Sequence, residues 1–416
     1  MRNVIIQNNR IKIAGLLTIL AALTIPGVAN ADNRNFTLYG HANVSYDMIT
    51  TGSANTTIDG PKAFEGVSSN RVSSNSSMVG LKASSDLGEN WLAEAQLEIT
   101  VGTDTGGSGG DEITGNSKAS RLKSAFDRNT YLGLSNESFG RLLLGRYDTP
   151  YKMATRKLDV FADGIADSRS LLGTTVKGDQ VYETYDARLS NQVLYISPQL
   201  GSFSVELGFA NLTESDTNIQ QPRGNALSVA TMYARDGVFA ALAYEAHTST
   251  TYFKEGNVSL KENATKIGLG YNWTILNFGF VYEKSNDEYG NSLTQDLLTN
   301  PCGGQVDGAN CTGHSATYFS FKIDFTDVDS AKVAYARSGQ VGAAKTGTGA
   351  TQFSVGLDHA FNDRTTGYFL YSSLMNDDLA KYGFSTAASS GKFSVNPTGT
   401  GGSQPSVFSL GMKLSF

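Results

Sequence analysis

The sequence predicts an all-β protein, a transmembrane antiparallel β-barrel of sixteen strands with long extracellular loops. Three observations lead to this fold class. Apolar and polar residues alternate with period two in segments of about ten residues, which is typical of strands that face two different environments. After residue 31 no run of about eighteen apolar residues occurs, so no transmembrane helix is expected. Short and long connections between the alternating segments follow one another strictly.

Residues 1–31 have the layout of a secretory signal peptide. A basic start is followed by an apolar run that contains Pro26, and a small-residue cleavage site ends at Ala31. The alternative is a membrane-anchoring helix, which the shortness of the run and the proline disfavour. We therefore expect an exported chain whose barrel domain comprises residues 32–416.

Charge and composition exclude several classes of protein. The formal charge is −6, and removing the three positive charges of residues 1–31 leaves −9. An acidic exported chain without a basic cluster has no electrostatic reason to bind nucleic acid. The 19 Tyr and 21 Phe argue against a disordered chain, and the glycines lack the strict period of collagen.

The two cysteines, Cys302 and Cys311, lie close together in the sequence. An exported chain passes through an oxidising compartment, so we expect a disulfide that closes a small loop. Because no histidine cluster lies nearby, a zinc site is not expected. We expect no cofactor.

The segment over 36–48 shows the alternation clearly. One face carries Phe36, Leu38, Gly40, Ala42, Val44, Tyr46 and Met48. The other face carries Thr37, Tyr39, His41, Asn43, Ser45 and Asp47. A soluble β-sandwich would alternate as well. However, the segments approach the roughly 9–11 residues that cross a bilayer at a tilt, and aromatic residues end the apolar faces as an interface girdle would.

Sixteen such segments can be counted, and tight turns join alternate pairs of them. Longer connections rich in Gly, Ser, Thr, Asn and Asp join the others. This pattern is that of an outer-membrane barrel with short turns on one side and long loops on the other. The predicted strands cover residues 36–48, 77–86, 91–101, 127–135, 140–147, 188–197, 203–211, 225–234, 238–247, 261–272, 275–285, 315–325, 331–338, 351–361, 365–374 and 406–416.

The last segment ends on the aromatic residue Phe416. Every backbone N–H and C=O must be paired inside hydrocarbon, so a barrel has no free edge. We therefore expect the last strand to pair with the first, and Phe416 to lie at the periplasmic interface.

The mature chain resembles the Gram-negative general porins along its whole length. The resemblance rests on the order and spacing of "FTLYGHANVSY", "VGLKASSDLGENWLAEAQLE", "YLGLSNESFGRLLLGRYDTPYK" and "ARLSNQVLYISP", and on Phe416. It implies a sixteen-stranded trimeric channel of the bacterial outer membrane, embedded in lipid, through which small hydrophilic solutes and ions diffuse passively. It also implies that Phe416 is a signal for the barrel assembly machinery and that the third loop folds inward.

The resemblance further implies an eyelet in which wall arginines face acids of the third loop. Arg146 and Arg188 match two of the family's wall positions, whereas Met78 stands where the family usually has an arginine. The basic ladder is therefore weaker than usual, and strong anion preference is in doubt.

The connection between Tyr147 and Asp186 is the candidate for the constriction. Asp159, Asp163 and Asp167 follow one another at intervals of four, which on a helical turn stacks three carboxylates on one face. One interpretation is an acidic stripe that faces the pore. The alternatives are a solvated surface loop, or acids neutralised locally by the basic residues of the same loop, which are Lys152, Arg156, Lys157 and Arg169.

Three rival functions remain open at this point. A barrel enzyme would need a nucleophile with a base in reach, but the four histidines are scattered and no G-x-S-x-G motif occurs, so we do not expect an enzyme. A substrate-specific channel for sugars, phosphate or dicarboxylates would have much the same barrel. A plugged structural barrel is disfavoured by the small and polar inward faces.

Overall fold

The computed structural model describes residues 34–52, 68–104, 126–177, 180–183, 185–212, 223–253, 256–287, 313–341, 347–378, 380, 382–384 and 402–416. The predicted signal peptide over 1–31 lies outside these residues. So does the predicted disulfide between Cys302 and Cys311.

The described residues are almost entirely β-structure, with one α-helix, α1 (Pro150–Arg156), and one short 3-10 helix (Ser168–Ser170). Neighbouring strands pair antiparallel throughout. The strands are β1 Arg34–Thr50, β2 Ser68–Ser74, β3 Met78–Gly88, β4 Trp91–Thr100, β5 Thr130–Asn136, β6 Gly140–Asp148, β7 Thr174–Lys177, β8 Gln180–Glu183, β9 Arg188–Ile196, β10 Phe203–Asn211, β11 Arg223–Arg235, β12 Val238–Phe253, β13 Gly256–Trp273, β14 Leu276–Asp287, β15 Ser315–Asp324, β16 Asp329–Ser338, β17 Ala350–Asn362, β18 Thr365–Asn376 and β19 Ser406–Ser415.

These strands close into the predicted barrel of sixteen strands. Strand β1 pairs with β19 on one side and with both β2 and β3 on the other. Because β2 and β3 follow each other along the same neighbour, they are two parts of the second barrel strand. The interruption falls at residues 75–77, where Ser76 has a φ of 57°. The hairpin β7–β8 forms a separate sheet inside the third long connection and was not predicted.

The two faces of the barrel wall follow the alternation in the sequence. Phe36, Leu38 and Met48 are exposed on the outer face, whereas Ser45 and Asp47 are buried inside. An outer surface of exposed apolar side chains suits a wall that lipid covers. Among the described residues no helix is long and apolar enough to cross a bilayer.

The barrel closes at Phe416 and Gly40. Each backbone N–H donates to the other's carbonyl over 3.0 Å. A Cβ at Gly40 would lie 2.7 Å from the Phe416 ring and 2.6 Å from the Met78 carbonyl oxygen, so only glycine fits at this close approach. The predicted pairing of the last strand with the first is confirmed.

The fifth barrel strand contains an irregularity near its extracellular end. Leu142 and Leu144 lie on the outer face of β6, but Gly145 has a φ of 147°. Beyond Gly145 the register with β9 shifts, and Asn191 on β9 has a φ of 54°. A bulge of this kind re-aims the side chains that follow it, which explains why simple alternation does not orient Arg146.

Candidate functional site

The third long connection, which runs between β6 and β9, folds into the barrel interior. Tyr151, Phe161, Ile165 and Leu171 of this connection are buried in the core. Its main chain touches the far wall, because the Ser320 hydroxyl donates to the Leu158 carbonyl over 2.7 Å. The connection therefore lies against the inner faces of β13, β14, β15 and β17 and crosses part of the opening.

Four glycines of the inner wall make room for it. A Cβ at Gly279 would lie 2.8 Å from the Leu158 carbonyl oxygen, and one at Gly270 would lie 2.6 Å from the Leu158 side chain. Gly268 likewise faces Thr155, and Gly356 faces the Phe161 ring. Larger residues at these positions would push the connection away from the wall.

The predicted helical turn through the three loop acids is wrong. Helix α1 ends at Arg156, and the chain continues as successive turns closed by bonds such as Ala162 N–H to the Asp159 carbonyl, 3.3 Å. The aspartates themselves accept backbone N–H bonds, at 2.8 Å from Phe161 to Asp159 and at 2.8 Å from Asp163 to Asp167. Side chains that bond the local backbone in this way compete with a helix.

One arginine gathers the three carboxylates instead. The Arg156 guanidinium lies 3.6 Å from the Asp159 carboxylate, 2.8 Å from that of Asp163 and 2.7 Å from that of Asp167. Arg169 adds a second guanidinium, 3.0 Å from Asp167. The loop acids are thus paired within their own connection, as the local-neutralisation interpretation expected.

The three acids differ in exposure, so they do not form one pore-facing stripe. The side chain of Asp163 is 46% exposed, whereas those of Asp159 and Asp167 are 4% and 0% exposed. Asp159 points to the wall, where the Tyr318 hydroxyl donates to it over 2.8 Å. Asp163 has a φ of 63°, a left-handed conformation that aspartate tolerates better than most residues. Only Asp163 offers its carboxylate to the open interior.

The surroundings shift the pKa of each acid in a different way. Burial alone raises the pKa of the Asp167 carboxyl, but Arg156 and Arg169 more than offset this and hold it well below its ordinary value. The pKa of Asp163 is lowered as well, because Arg156 outweighs the effect of burial. Burial and the neighbouring Asp167 carboxylate raise the pKa of Asp159.

A second ion-pair cluster holds the base of the connection. The Asp148 carboxylate lies 2.9 Å from the Lys152 ammonium and 3.1 Å from the Arg188 guanidinium. Arg188 also donates to the Asn129 side-chain oxygen over 2.6 Å. The structure therefore brings Arg188 to Asp148, and among the described residues it forms no ion pair with Asp159, Asp163 or Asp167.

Arg146, the other predicted wall arginine, is held by polar groups at the rim. Its guanidinium donates to the Asp127 carbonyl over 2.9 Å and to the Ser190 hydroxyl over 2.8 Å. In the part of the chain that the structure describes, it forms no ion pair with the loop acids. Its positive charge still lies at the same end of the barrel as that of Arg188, because Ser190, which accepts from Arg146, is two residues from Arg188 on β9.

A fully buried lysine ties the far end of the connection to the wall. The Lys266 ammonium on β13 pairs with Asp186 and lies 3.3 Å from the Glu283 carboxylate. Glu283 also accepts from the Tyr151 hydroxyl and the Gly173 N–H, both over 2.8 Å. Within the described ranges, no group of three or more His, Cys, Asp and Glu side chains is arranged to hold a metal ion.

The inner face of the wall near β1 also carries cations. Lys413 on β19 lies opposite Asn43 of β1 in the register, and the Asn43 side chain is buried on the inner face. Arg128 lies 3.8 Å from Glu98, whereas Lys413 is exposed and has no ion pair among the described residues.

Arg128 and Arg156 were missed as site residues. No pattern in the sequence indicates which inward residues lie at the height of the third connection. Arg156 was considered only as one of several basic residues of the connection. Its central position depends on turns between Arg156 and Asp167 that no spacing rule predicts.

Comparison with known proteins gives one family and several related structures. A family model described as "Gram-negative porin" matches residues 17–379. An outer membrane porin protein of Bordetella pertussis is 23% identical over 243 residues, which are 56% of this chain and 58% of the relative. The chain thus matches a little over half the length of this curated relative.

Solved structures share the fold over almost the whole chain. The anion-selective porin from Comamonas acidovorans superposes with a TM-score of 0.65 at 18% identity, covering 92% of this chain and 100% of that one. The trimer form of OmpT, an outer membrane protein of Vibrio cholerae, gives a TM-score of 0.57 at 12% identity, covering 92% and 100%. At these identities the likeness concerns the fold.

Proposed function

Since the chain belongs to the Gram-negative porin family of the bacterial outer membrane, we propose that it forms a water-filled channel for passive diffusion of small hydrophilic solutes and ions. Members of this family are channels rather than enzymes. The proposal rests on one observation, which is that the third connection folds into the barrel interior and exposes the Asp163 carboxylate there.

The eyelet of this channel lies between the third connection and the wall formed by β1, β19 and the approach to β5. Asp163 lines it on the loop side, and Lys413 and Arg128 line it on the wall side. Asp159 and Asp167 serve this eyelet by holding the connection in place, since both are buried against Arg156 or Tyr318. Arg146 and Arg188 contribute positive charge at its extracellular side.

We expect a modest preference for anions. Asp159, Asp163 and Asp167 are balanced in number by Arg156 and Arg169, which pair with them, and by Lys157, which lies over the Phe239 ring. The exposed Lys413 has no ion pair among the described residues. A surplus of fixed positive charge favours counter-ions of negative sign. The structural relative from Comamonas acidovorans is named as anion-selective, which agrees with this expectation.

A substrate-specific sugar channel is less well supported. Such a channel needs aromatic side chains that line the opening, but Tyr151 and Phe161 of the connection are both buried. Assembly as a homotrimer in the outer-membrane lipid, with Phe416 read by the barrel assembly machinery, is part of the proposal. The trimer form of the Vibrio cholerae relative supports the oligomeric state.

Planar-bilayer recording of the purified protein under a tenfold KCl gradient tests this function. Stepwise insertion of open channels is expected, with three linked closing steps for a trimer and a reversal potential of anion-favouring sign. Folded protein that never conducts would contradict the channel. A reversal potential of cation-favouring sign would contradict the expected anion preference but not the proposed channel function.

A further inference from the structure

We infer that His247 is a positioning residue for the third connection, and that it acts as an imidazolium cation held between Glu245 and Glu262. The inference rests on the proposed channel function, in which the third connection narrows the opening. It adds that one end of this connection is held by a single proton, so the width of the channel follows pH through one side chain.

The imidazole of His247 lies between two carboxylates of the inner wall. Its Nδ1 lies 2.7 Å from a Glu262 carboxylate oxygen, and its Nε2 lies 3.0 Å from a Glu245 carboxylate oxygen. His247 on β12 and Glu262 on β13 are partners in register, and Glu245 precedes His247 by two residues on the same face of β12. All three side chains are buried, so water does not compete for either contact.

This geometry determines how many protons the ring carries. A neutral imidazole has one N–H, and its other nitrogen is an acceptor. A carboxylate is an acceptor only, so a neutral ring would turn a lone pair toward one of the two carboxylate oxygens. Between two carboxylates, only the imidazolium donates both hydrogen bonds. Its positive charge also offsets two buried carboxylates that would otherwise be costly to keep away from water.

The neighbouring charged groups of the inner wall are already paired with one another. Lys266 on β13 pairs with Asp186 of the third connection and lies 3.3 Å from the Glu283 carboxylate on β14. On β11, the partner of the histidine in register is the uncharged Ala226. The imidazolium, and not Lys266, is therefore the cation that lies between the two glutamates.

Tyr185 couples this cluster to the third connection. Its ring stacks on the His247 imidazole, with ring centroids 5.4 Å apart and an angle of 24° between the planes. The Tyr185 N–H donates to the Gly173 carbonyl over 3.0 Å, and its carbonyl accepts from the Thr149 hydroxyl over 3.5 Å. A cation on the face of an aromatic ring attracts it. Tyr185 thus joins the two ends of the connection, and the imidazolium holds its completely buried ring.

Loss of the proton should release this end of the connection. A neutral imidazole gives up one of its two hydrogen bonds, and the two buried glutamates then repel each other without a cation between them. The attraction between the cation and the Tyr185 ring is lost as well. A proton that is bound through folded-state ion pairs stabilises the folded arrangement at low pH, and this contribution disappears as pH rises. The opening should therefore widen at alkaline pH.

The experiment is a pH series of single-channel conductance between about pH 6 and pH 10, which begins near the ordinary histidine value. Recording in about 1 M KCl screens the exposed charges. For the unmodified channel we expect conductance and noise to rise as pH increases. In His247→Gln this alkaline transition should be lost. It should also be lost in Glu245→Gln, because the amide N–H can donate to Nε2 of a neutral imidazole, and the contact then no longer needs the second proton.

His359→Gln is the matched control. His359 lies on the outer face beside exposed Leu357 and Phe361 and pairs with Asp329 over 2.7 Å, so the alkaline transition should survive its loss. A transition that persists in His247→Gln would overturn the inference, as would a flat profile of the unmodified channel. If His247→Gln does not fold, a Glu245→Gln channel with the transition at an unchanged pH would overturn it. Conducting channels with any of these profiles leave the proposed function intact, whereas folded protein without conductance would contradict both.

NMR of protein with isotopically labelled histidine rings tests the protonation state itself. At neutral pH both ring nitrogens of His247 should give the signals of protonated nitrogens, and above the alkaline transition only one of them should. The signals are assigned by their absence from the spectrum of His247→Gln or, failing that variant, by their shift in Glu245→Gln. A His247 ring with one bare nitrogen at neutral pH would overturn the inference.

Discussion

The Arg156 guanidinium lies 2.7 Å from the Asp167 carboxylate, which is completely buried within the third connection. A carboxylate in that position is stable only because the guanidinium and local N–H groups satisfy it. The acids of the connection therefore divide their work. Asp159 and Asp167 hold its shape, and Asp163 alone presents charge to the interior.

Removing Arg156 should loosen the connection without unfolding the barrel. Arg156→Gln leaves buried carboxylates without their main partner, which costs on the order of 3–5 kcal/mol for a buried pair. Because the wall strands are paired independently of the connection, this cost falls on the loop. We expect larger and noisier single-channel conductance, together with an unchanged β-sheet circular dichroism spectrum.

Arg235→Gln is the control for that variant. Arg235 pairs with Asp236 in an exposed turn, where an ion pair contributes about 0–1 kcal/mol. Its conductance should match that of the unmodified channel. An Arg156→Gln channel with unchanged conductance and unchanged noise would show that the ion pairs do not hold the connection.

Asparagine substitutions should distinguish the role of Asp163 from that of Asp167. Asp163→Asn removes an exposed charge and should raise the chloride-to-potassium permeability ratio by about two- to fourfold, with little effect on stability. Asp167→Asn should instead disturb the connection, because Arg156 and Arg169 lose the buried carboxylate that both of them bind. Reversal potentials and channel noise measure the two effects, and equal effects of both variants on selectivity alone would contradict the division of work.

The stability of the third connection should depend on pH, because the pKa of Asp167 is lowered in the folded state. A carboxyl whose pKa is lower in the folded state stabilises that state above its ordinary pKa, and this contribution is lost as pH falls toward the folded value. Conductance should therefore show an acid transition below about pH 4, near the ordinary aspartate value, separate from the earlier change caused by Asp159, whose pKa is raised. Recording in about 1 M KCl screens the exposed charges and isolates this effect.

In Arg156→Gln the acid transition in conductance should begin at higher pH, because one of the positive charges that lower the pKa of Asp167 is removed. The same titration of conductance measures the shift. An identical onset in both proteins would mean that another group controls the acid response.

The inner-wall glycines should be sensitive to even one methyl group. Gly279→Ala places a Cβ 2.8 Å from the Leu158 carbonyl oxygen and 2.5 Å from the Ser320 hydroxyl that donates to it. We expect a cost of about 1–3 kcal/mol and a changed conductance, because the main chain of the connection must move. Gly367→Ala, on the outer face against the Phe361 ring, should leave conductance unchanged. Thermal unfolding and single-channel recording compare the two variants.

The alternation in the sequence predicts the barrel well, because in a wall between lipid and water every second residue of a strand faces lipid and is apolar. It assigned His41 to the polar face of the first strand and paired the last strand with the first. It did not predict the break at Ser76, since the polar segment 73–77 has no alternation of apolar and polar residues. The signal peptide over 1–31 and the disulfide between Cys302 and Cys311 stay predictions.

The sequence by itself determined the closed barrel, its two faces and its membrane setting, because these depend on local period and on the pairing of neighbouring strands. Only the tertiary structure decided which charges meet. Arg156 gathers three aspartates through turns that their side chains themselves favour over a helix. Lys266 and Glu283 reach the connection from distant strands. Such contacts depend on the path of an infolded segment, and no repeat in the sequence encodes that path.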